Sequence, residues 1–116
     1  MRTAAPLLLL LLAGCGDHRS FDAAAWKADA MTEADQHLDV RRSMLADVER
    51  RFRPGTAKAE ILRNFGPSEH DAAGLCDDPG ADNCLGYELG ASLADYDFLI
   101  FAFDGDRLVH ISRYRS

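Results

Sequence analysis

The residues in this sequence that could do covalent chemistry are its three cysteines, Cys15, Cys76 and Cys84. An odd number of cysteines leaves one thiol without a partner in an exported protein. Cys15 follows a basic residue, Arg2, then an uninterrupted apolar run at 7–12 and two small residues, which is the order of regions in an export signal. The apolar run is too short to span a bilayer, which needs about 20 residues.

The end of this leader, Leu12-Ala13-Gly14-Cys15, resembles the lipobox of bacterial lipoproteins. The resemblance implies that the signal peptide 1–14 is removed and that the Cys15 sulfur carries lipid, palmitate among its acyl chains. Several acyl chains predict permanent attachment to a membrane, because each buried methylene contributes about 0.8 kcal/mol. Glycine rather than aspartate follows Cys15, which in such lipoproteins favours the periplasmic face of the outer membrane. An ordinary secretory signal that ends in a cysteine is the alternative.

The other two cysteines are expected to pair. Lipidation of Cys15 leaves Cys76 and Cys84 in an oxidising compartment, where a disulfide is the expected state. The intervening segment 77–83 is rich in turn-forming residues that can bring its ends together. Its acidic residues suggest a calcium loop as an alternative to a solvated turn, but they lack the regular spacing of such a loop. A zinc site would need two further ligands at useful spacing.

Other residue types that could do chemistry do not form a recognisable motif. They are His18, His37, His70, His110, Asp95 with Asp97, and Asp104 with Asp106. The histidines lack the paired spacing of a zinc site, and the aspartate pairs lie where strands are predicted to begin or turn. No nucleophile elbow and no phosphate-binding glycine loop is present. The sequence therefore predicts no enzyme, no metal site and no cofactor beyond the covalent lipid.

The length and charge of the chain limit its organisation and its partners. The 116 residues are enough for one domain, and removal of 1–14 lowers the formal charge from −6 to −7 because it takes away one arginine and no acid. This charge argues against nucleic acid as a partner. We expect a lipidated cysteine, a tether and a short helix in 15–37, and a folded domain in 38–116.

Local patterns predict three helical segments and three strands. The helices are expected over 21–34, 38–53 and 57–65, and the strands over 85–89, 97–103 and 107–114. Ser20 and Thr56 are the expected N-caps of the first and third helices. Pro54 and Gly66 are expected to end the second and third helices. The order predicts an α+β domain, with a two-helix layer packed on a three-stranded antiparallel sheet.

The middle strand lacks a face suited to water, because both alternating sets of side chains in 98–103 are apolar. Two helices can cover only one of its sides. The other side is covered by the segment 21–31 with Phe21 and Trp26, by a partner protein, or by self-association. Phe98, Ile100 and Phe101 are therefore candidate partner-binding residues.

A group of arginines ends the second predicted helix. Arg50, Arg51 and Arg53 are explained by the helix dipole, which stabilises cations there by about 0.3–1 kcal/mol. Contact with anionic lipid headgroups, which a tethered domain could reach, is the alternative.

Three segments of the mature chain carry a wider resemblance. They are Met44-Leu45-Ala46-Asp47-Val48, then Pro54-Gly55-Thr56-Ala57-Lys58-Ala59-Glu60-Ile61-Leu62-Arg63-Asn64-Phe65-Gly66-Pro67, and Leu99-Ile100-Phe101-Ala102-Phe103-Asp104 with Gly105 and Arg107-Leu108-Val109. Together they resemble the SmpA/OmlA (BamE-like) family of small outer-membrane lipoproteins. The resemblance implies two helices on a three-stranded antiparallel sheet, a fold also seen in a β-lactamase inhibitor protein. It also implies a non-catalytic lipoprotein that makes contacts with envelope proteins, as an accessory of outer-membrane assembly. A periplasmic inhibitor or ligand-binding module with the same fold is the alternative.

Overall fold

The computed structural model describes residues 18–32, 35–71, 74, 76–92 and 95–115. Its elements are α1 (Ala23–Ala28), α2 (Asp39–Ser43), α3 (Leu45–Arg51), α4 (Lys58–Phe65), β1 (Asn83–Ser92), β2 (Asp95–Asp104) and β3 (Arg107–Arg115). The strands form an antiparallel sheet in the order β1-β2-β3. The predicted α+β class is therefore confirmed, whereas the helical layer consists of four short helices among the described residues. The leader 1–14 and Cys15 lie outside those residues.

The first helices differ from the prediction in their ends. The N-cap of α1 is Asp22 rather than Ser20, and its Oδ1 accepts hydrogen bonds from the N–H groups of Ala24 and Ala25. The helix predicted over 38–53 is interrupted at Met44, whose N–H donates to the carbonyl three residues earlier, at Arg41. This tighter turn separates α2 from α3.

Helix α4 begins without the predicted side-chain cap. The Thr56 hydroxyl instead donates to the Arg53 carbonyl at 2.7 Å, and the N-cap position is Ala57. The N–H of Lys58 donates to the Asp106 carbonyl in the β2–β3 turn. This carbonyl accepts a hydrogen bond that a side-chain cap would otherwise accept. Gly66 ends α4 as predicted, with φ +85°.

Gly90 lies at an irregularity of the β1–β2 pairing. Its φ is +90°, and a Cβ there would collide with the carbonyl of Gln36. The next residue, Ala91, donates its N–H to that same carbonyl. Glycine is therefore required where the segment before α2 crosses the edge of the sheet.

The main core lies between the helices and one face of the sheet, and its centre is the Phe65 ring. The ring centroids of Phe21 and Phe101 lie 4.8 Å from that of Phe65, and the centroid of Trp26 lies 5.0 Å away. Phe21 and Trp26 therefore belong to the helix side of the sheet, and the alternative in which they cover the other side is wrong. The main core therefore includes residues that precede position 38, at which the folded domain was expected to begin.

The outer face of the sheet is covered by the chain itself. The cover segment, which we define as the described residues of 68–82, crosses this face. The His70 ring stacks on Phe98 with centroids 4.2 Å apart, and Cys84 packs against Phe98 and Ile100. The Asp78 carboxylate lies 2.8 Å from Nδ1 of His110 on β3. Contacts within the chain thus bury Phe98 and Ile100 on this face.

The predicted disulfide is present and holds the cover segment. Cys76 and Cys84 are bonded, with their Cα atoms 5.6 Å apart. Replacing both cysteines by serine is expected to lower the free energy of unfolding by about 2–3 kcal/mol, because the unfolded chain regains the freedom that this loop removes. Urea unfolding measures the loss. Reduction should destabilise the parent protein and leave the double variant unchanged; equal unfolding midpoints of the oxidised parent and the variant would contradict the prediction.

Candidate functional site

A fully buried arginine joins the helices to the sheet. The Nη1 and Nη2 atoms of Arg41 lie 2.6 and 2.7 Å from the two carboxylate oxygens of Glu69. Its Nε donates to the Trp26 carbonyl, its Nη1 also donates to the Glu88 carbonyl, and its guanidinium lies 4.8 Å from the Trp26 ring centroid. These bonds connect α1, α2, the cover segment and β1, so the role of Arg41 is to position these elements.

Reasoning from the sequence missed Arg41, although the pattern contained a signal. Arg41 lies three residues after Leu38, four before Leu45 and seven before Val48. This spacing places it on the same helical stripe as those apolar residues. A charged residue on a buried stripe predicts a buried ion pair.

A second ion-pair cluster lies around Asp97, at the end of the sheet where β2 begins. This buried carboxylate accepts from Arg42 Nη1 at 3.1 Å and from Arg115 Nε at 3.0 Å. Burial alone would raise the pKa of Asp97, but the hydrogen bonds and charges of Arg115 and Arg42 outweigh it and hold the pKa below its ordinary value. Asp97 therefore lies near the start of β2, where the strand 97–103 was predicted to begin, and its carboxylate is held in ion pairs.

The pairing of Asp97 predicts a pH-dependent stability. Because the pKa of Asp97 is lowered in the folded state, its ion pairs stabilise the fold at pH values above the ordinary carboxyl range. This stabilisation is lost as the pH falls through the lowered folded-state pKa. Asp97→Asn should therefore lower the free energy of unfolding at neutral pH. The difference in this free energy between variant and parent should become smaller below about pH 4. Urea unfolding from pH 7 to pH 3 measures this. Asp106→Asn, in an exposed turn, is the control; a pH-independent effect of Asp97→Asn would refute the assignment.

A polar groove separates the cover segment from the start of β1. It has a volume of about 590 Å³ and is lined by Ser68, Glu69, His70, Asp71, Cys76, Ala81, Asp82, Asn83 and Cys84. The Asp82 carboxylate accepts from Asn83 Nδ2 and from the Gly105 N–H, and these bonds lower the pKa of Asp82. In the part of the chain that the structure describes, no three His, Cys, Asp or Glu side chains cluster as a metal site would require. The groove offers hydrogen-bonding groups to a small polar ligand.

The four histidines do not converge on one another. His18 and His37 are exposed, and the stacked His70 and the Asp78-paired His110 contact the cover segment or the sheet beneath it. Each of the last two has a structural contact, which is sufficient to explain its position.

The three candidate partner-binding residues do not form a surface. Phe98 and Ile100 lie beneath the cover segment, and Phe101 points to the opposite face, into the main core. Their separation follows from the alternation of side chains along a strand. The prediction of a binding surface at these residues is wrong, because all three side chains are buried.

The three candidate lipid-binding arginines have different surroundings. Arg50 is exposed and pairs with Asp47, whose carboxylate also accepts from the Phe21 N–H. That backbone hydrogen bond, helped by the hydrogen bond and charge of Arg50 and the charge of Arg51, outweighs burial and lowers the pKa of Asp47. Arg51 donates to the Phe21 carbonyl, and Arg53 is exposed. Arg51 therefore holds the segment before α1, and Arg50 and Arg53 are presented to solvent.

An exposed strand edge is a further candidate surface. One side of β3 pairs with β2. On its other side, within the described ranges, backbone hydrogen bonds from residues 55–57 reach only its start at Arg107 and Leu108, and the Arg113 side chain lies 3.9 Å from the Glu49 carboxylate. We call residues 109–115 the β3 edge. Its apolar side chains Val109 and Tyr114 are 36% and 42% exposed. A shallow groove of about 280 Å³ lies beside it, between α3 and β3.

Comparisons with known proteins leave the family open. No family model, curated protein or solved structure matches the chain. Over the residues that the structure describes, no helix is both long enough and apolar enough to cross a membrane. The SmpA/OmlA resemblance therefore remains an interpretation of the residues quoted above.

Proposed function

We propose that this chain is a non-catalytic lipoprotein, anchored through Cys15 at the periplasmic face of the outer membrane, whose α+β domain binds an envelope protein. Its leader supports the anchor, and the Cys76–Cys84 disulfide is in keeping with an oxidising compartment. The resemblance to SmpA/OmlA lipoproteins extends the proposal to an accessory role in outer-membrane assembly.

The β3 edge is the observation that carries the binding proposal. Its backbone N–H and C=O groups on the side away from β2 can pair with an extended segment of another protein. Val109 and Tyr114 supply exposed apolar contacts at the same edge. This surface replaces the buried residues Phe98, Ile100 and Phe101 as the place where a partner is expected.

Photocrosslinking in cells tests the binding surface. A photoreactive amino acid at Val109 or Tyr114 should capture the same envelope protein, and at Leu62, an exposed apolar position on α4, it should not. Capture should be lost in a Cys15→Ser chain, because an untethered domain leaves the membrane surface. Identical products from Val109 and Leu62 would reject the β3 edge as the binding surface.

The anchor has its own test. The mass of the protein purified from membranes should correspond to a chain that begins at Cys15 and carries acyl groups. Any other N-terminus, or an unmodified cysteine, would contradict the lipid anchor.

A periplasmic inhibitor or ligand-binding module is the second candidate function, and the polar groove beside the cover segment favours it. Such a module should act as a free domain, so Cys15→Ser should preserve its affinity for a ligand or target. A scaffold at the membrane should instead lose its cellular effect when the anchor is removed. Affinity is compared between two matched variants: Asp82→Asn changes a residue that lines the groove, and Asp106→Asn changes one outside it.

A further inference from the structure

The domain begins very close to the proposed lipid anchor. The Arg19 N–H donates to the Ser43 carbonyl at 3.0 Å, and the Phe21 N–H donates to Asp47. Only four Cα–Cα steps separate Cys15 from Arg19, and each spans at most about 3.8 Å. A lipid on Cys15 therefore keeps this part of the fold within about 15 Å of the membrane surface.

The point of attachment lies at one end of the molecule. Arg42, next to Ser43, donates to Asp97 and to the Gly90 carbonyl, which places the α2–α3 junction at the end of the sheet where β2 begins. The opposite end of the sheet is the turn at Gly105 and Asp106. Seven residue steps along β2 lead from Asp97 to Asp104, a distance of about 23 Å at 3.3 Å per residue. The tether thus holds one end of the fold close to the membrane and allows the other to point away.

The two ends differ in charge, and an anionic surface repels only one of them. The anchoring end, which we define by the residues around the attachment point, comprises His18, Arg19, Asp39, Arg42, Ala46, Asp47 and Arg50. There Arg50 is paired with Asp47 and Arg42 with Asp97, while Arg19 and Asp39 are exposed and have no ion pair among the described residues. The charges at this end therefore nearly balance. The opposite turn carries the exposed carboxylates of Asp104 and Asp106 against the one exposed cation of Arg107, so it keeps a negative excess.

We propose, given the lipid anchor on Cys15, that the anchoring end rests on anionic phospholipid headgroups and that the β2–β3 turn points away from the membrane. Positive side chains within about 8 Å of an anionic surface are attracted to it, and the acidic turn is repelled. Of the three arginines considered from the sequence, only Arg50 belongs to the anchoring end. In this orientation β3 runs from the turn toward the membrane, and its open edge faces sideways, where a partner can reach it.

Site-specific labelling of lipid tests the orientation. The chain from Cys15 onward contains every described residue, and with Cys76 and Cys84 joined its one free thiol is Cys15. This thiol is coupled to a maleimide lipid in vesicles of phosphatidylcholine and phosphatidylglycerol. A photoreactive amino acid replaces either Ala46 or Asp106, both exposed. Ala46 should label lipid an order of magnitude more than Asp106, and equal labelling would overturn the orientation.

Charge variants test the role of the anionic headgroups. Labelling from position 46 should fall several-fold when Arg19→Gln is combined with Arg50→Gln, and also when phosphatidylglycerol is omitted. The matched control combines Arg63→Gln with Arg107→Gln, which removes the same charge outside the anchoring end and should leave the labelling unchanged. Equal labelling with and without phosphatidylglycerol would overturn the headgroup contact. Because the coupling is chemical, these results are independent of whether cells lipidate Cys15, which the mass measurement decides.

Discussion

Arg41→Ala is expected to lower the free energy of unfolding by about 3 kcal/mol, because it leaves the Glu69 carboxylate facing the protein without its bidentate partner. The variant also removes the donor to the Trp26 carbonyl and the packing of the guanidinium on the Trp26 ring. We place the loss at the lower end of the range for broken buried ion pairs, since the Glu69 side chain is 30% exposed and water can reach it. Urea unfolding at neutral pH measures the change.

The neighbouring arginine provides the control. Arg42→Ala removes a partly exposed ion pair, and Asp97 retains its bond to Arg115, so we expect a loss of only about 1 kcal/mol. Circular dichroism of both variants verifies that they fold. Equal losses in Arg41→Ala and Arg42→Ala would show that the buried network contributes no more than a surface pair.

Trp26→Ala is expected to destabilise the protein by about 3–5 kcal/mol, the usual cost of deleting a large buried aromatic ring. The Trp26 ring is fully buried against Phe65 and beneath Arg41, and it attaches the short helix α1 to the main core. Hydrogen exchange should accelerate at the backbone of α1 in this variant, because a six-residue helix is unstable without packing. Urea unfolding and hydrogen exchange together test the prediction.

The control lies one residue further along the same helix. Lys27 is exposed, and its Nζ donates to the Arg63 carbonyl, so Lys27→Ala should cost less than about 1 kcal/mol. If Trp26→Ala were no more destabilising than Lys27→Ala, α1 would not contribute to the core. The double variant Trp26→Ala with Arg41→Ala should lose less than the sum of the two single losses, because the two side chains contact each other.

The candidate site was only partly predictable. The disulfide followed from the cysteine count and the turn-rich segment between Cys76 and Cys84, and the structure confirms it. The segment that covers Phe98 and Ile100 was not foreseen, because the pattern shows that a strand is apolar on both faces and not what covers it. The β3 edge was missed for a related reason, since strand order and edge exposure depend on how the strands pair.

By itself the sequence determined the α+β class, the approximate places of the strands and the cysteine pair, because alternation, turn residues and thiol pairing act over short stretches of chain. The tertiary structure decided the interruption of the second predicted helix at Met44, the cover over the outer face and the partners of Arg41. These features depend on contacts between distant residues, such as Arg41 with Glu69, 28 positions apart. Local pattern carries no information about which distant groups will meet, so only the folded chain could show that an arginine joins its layers.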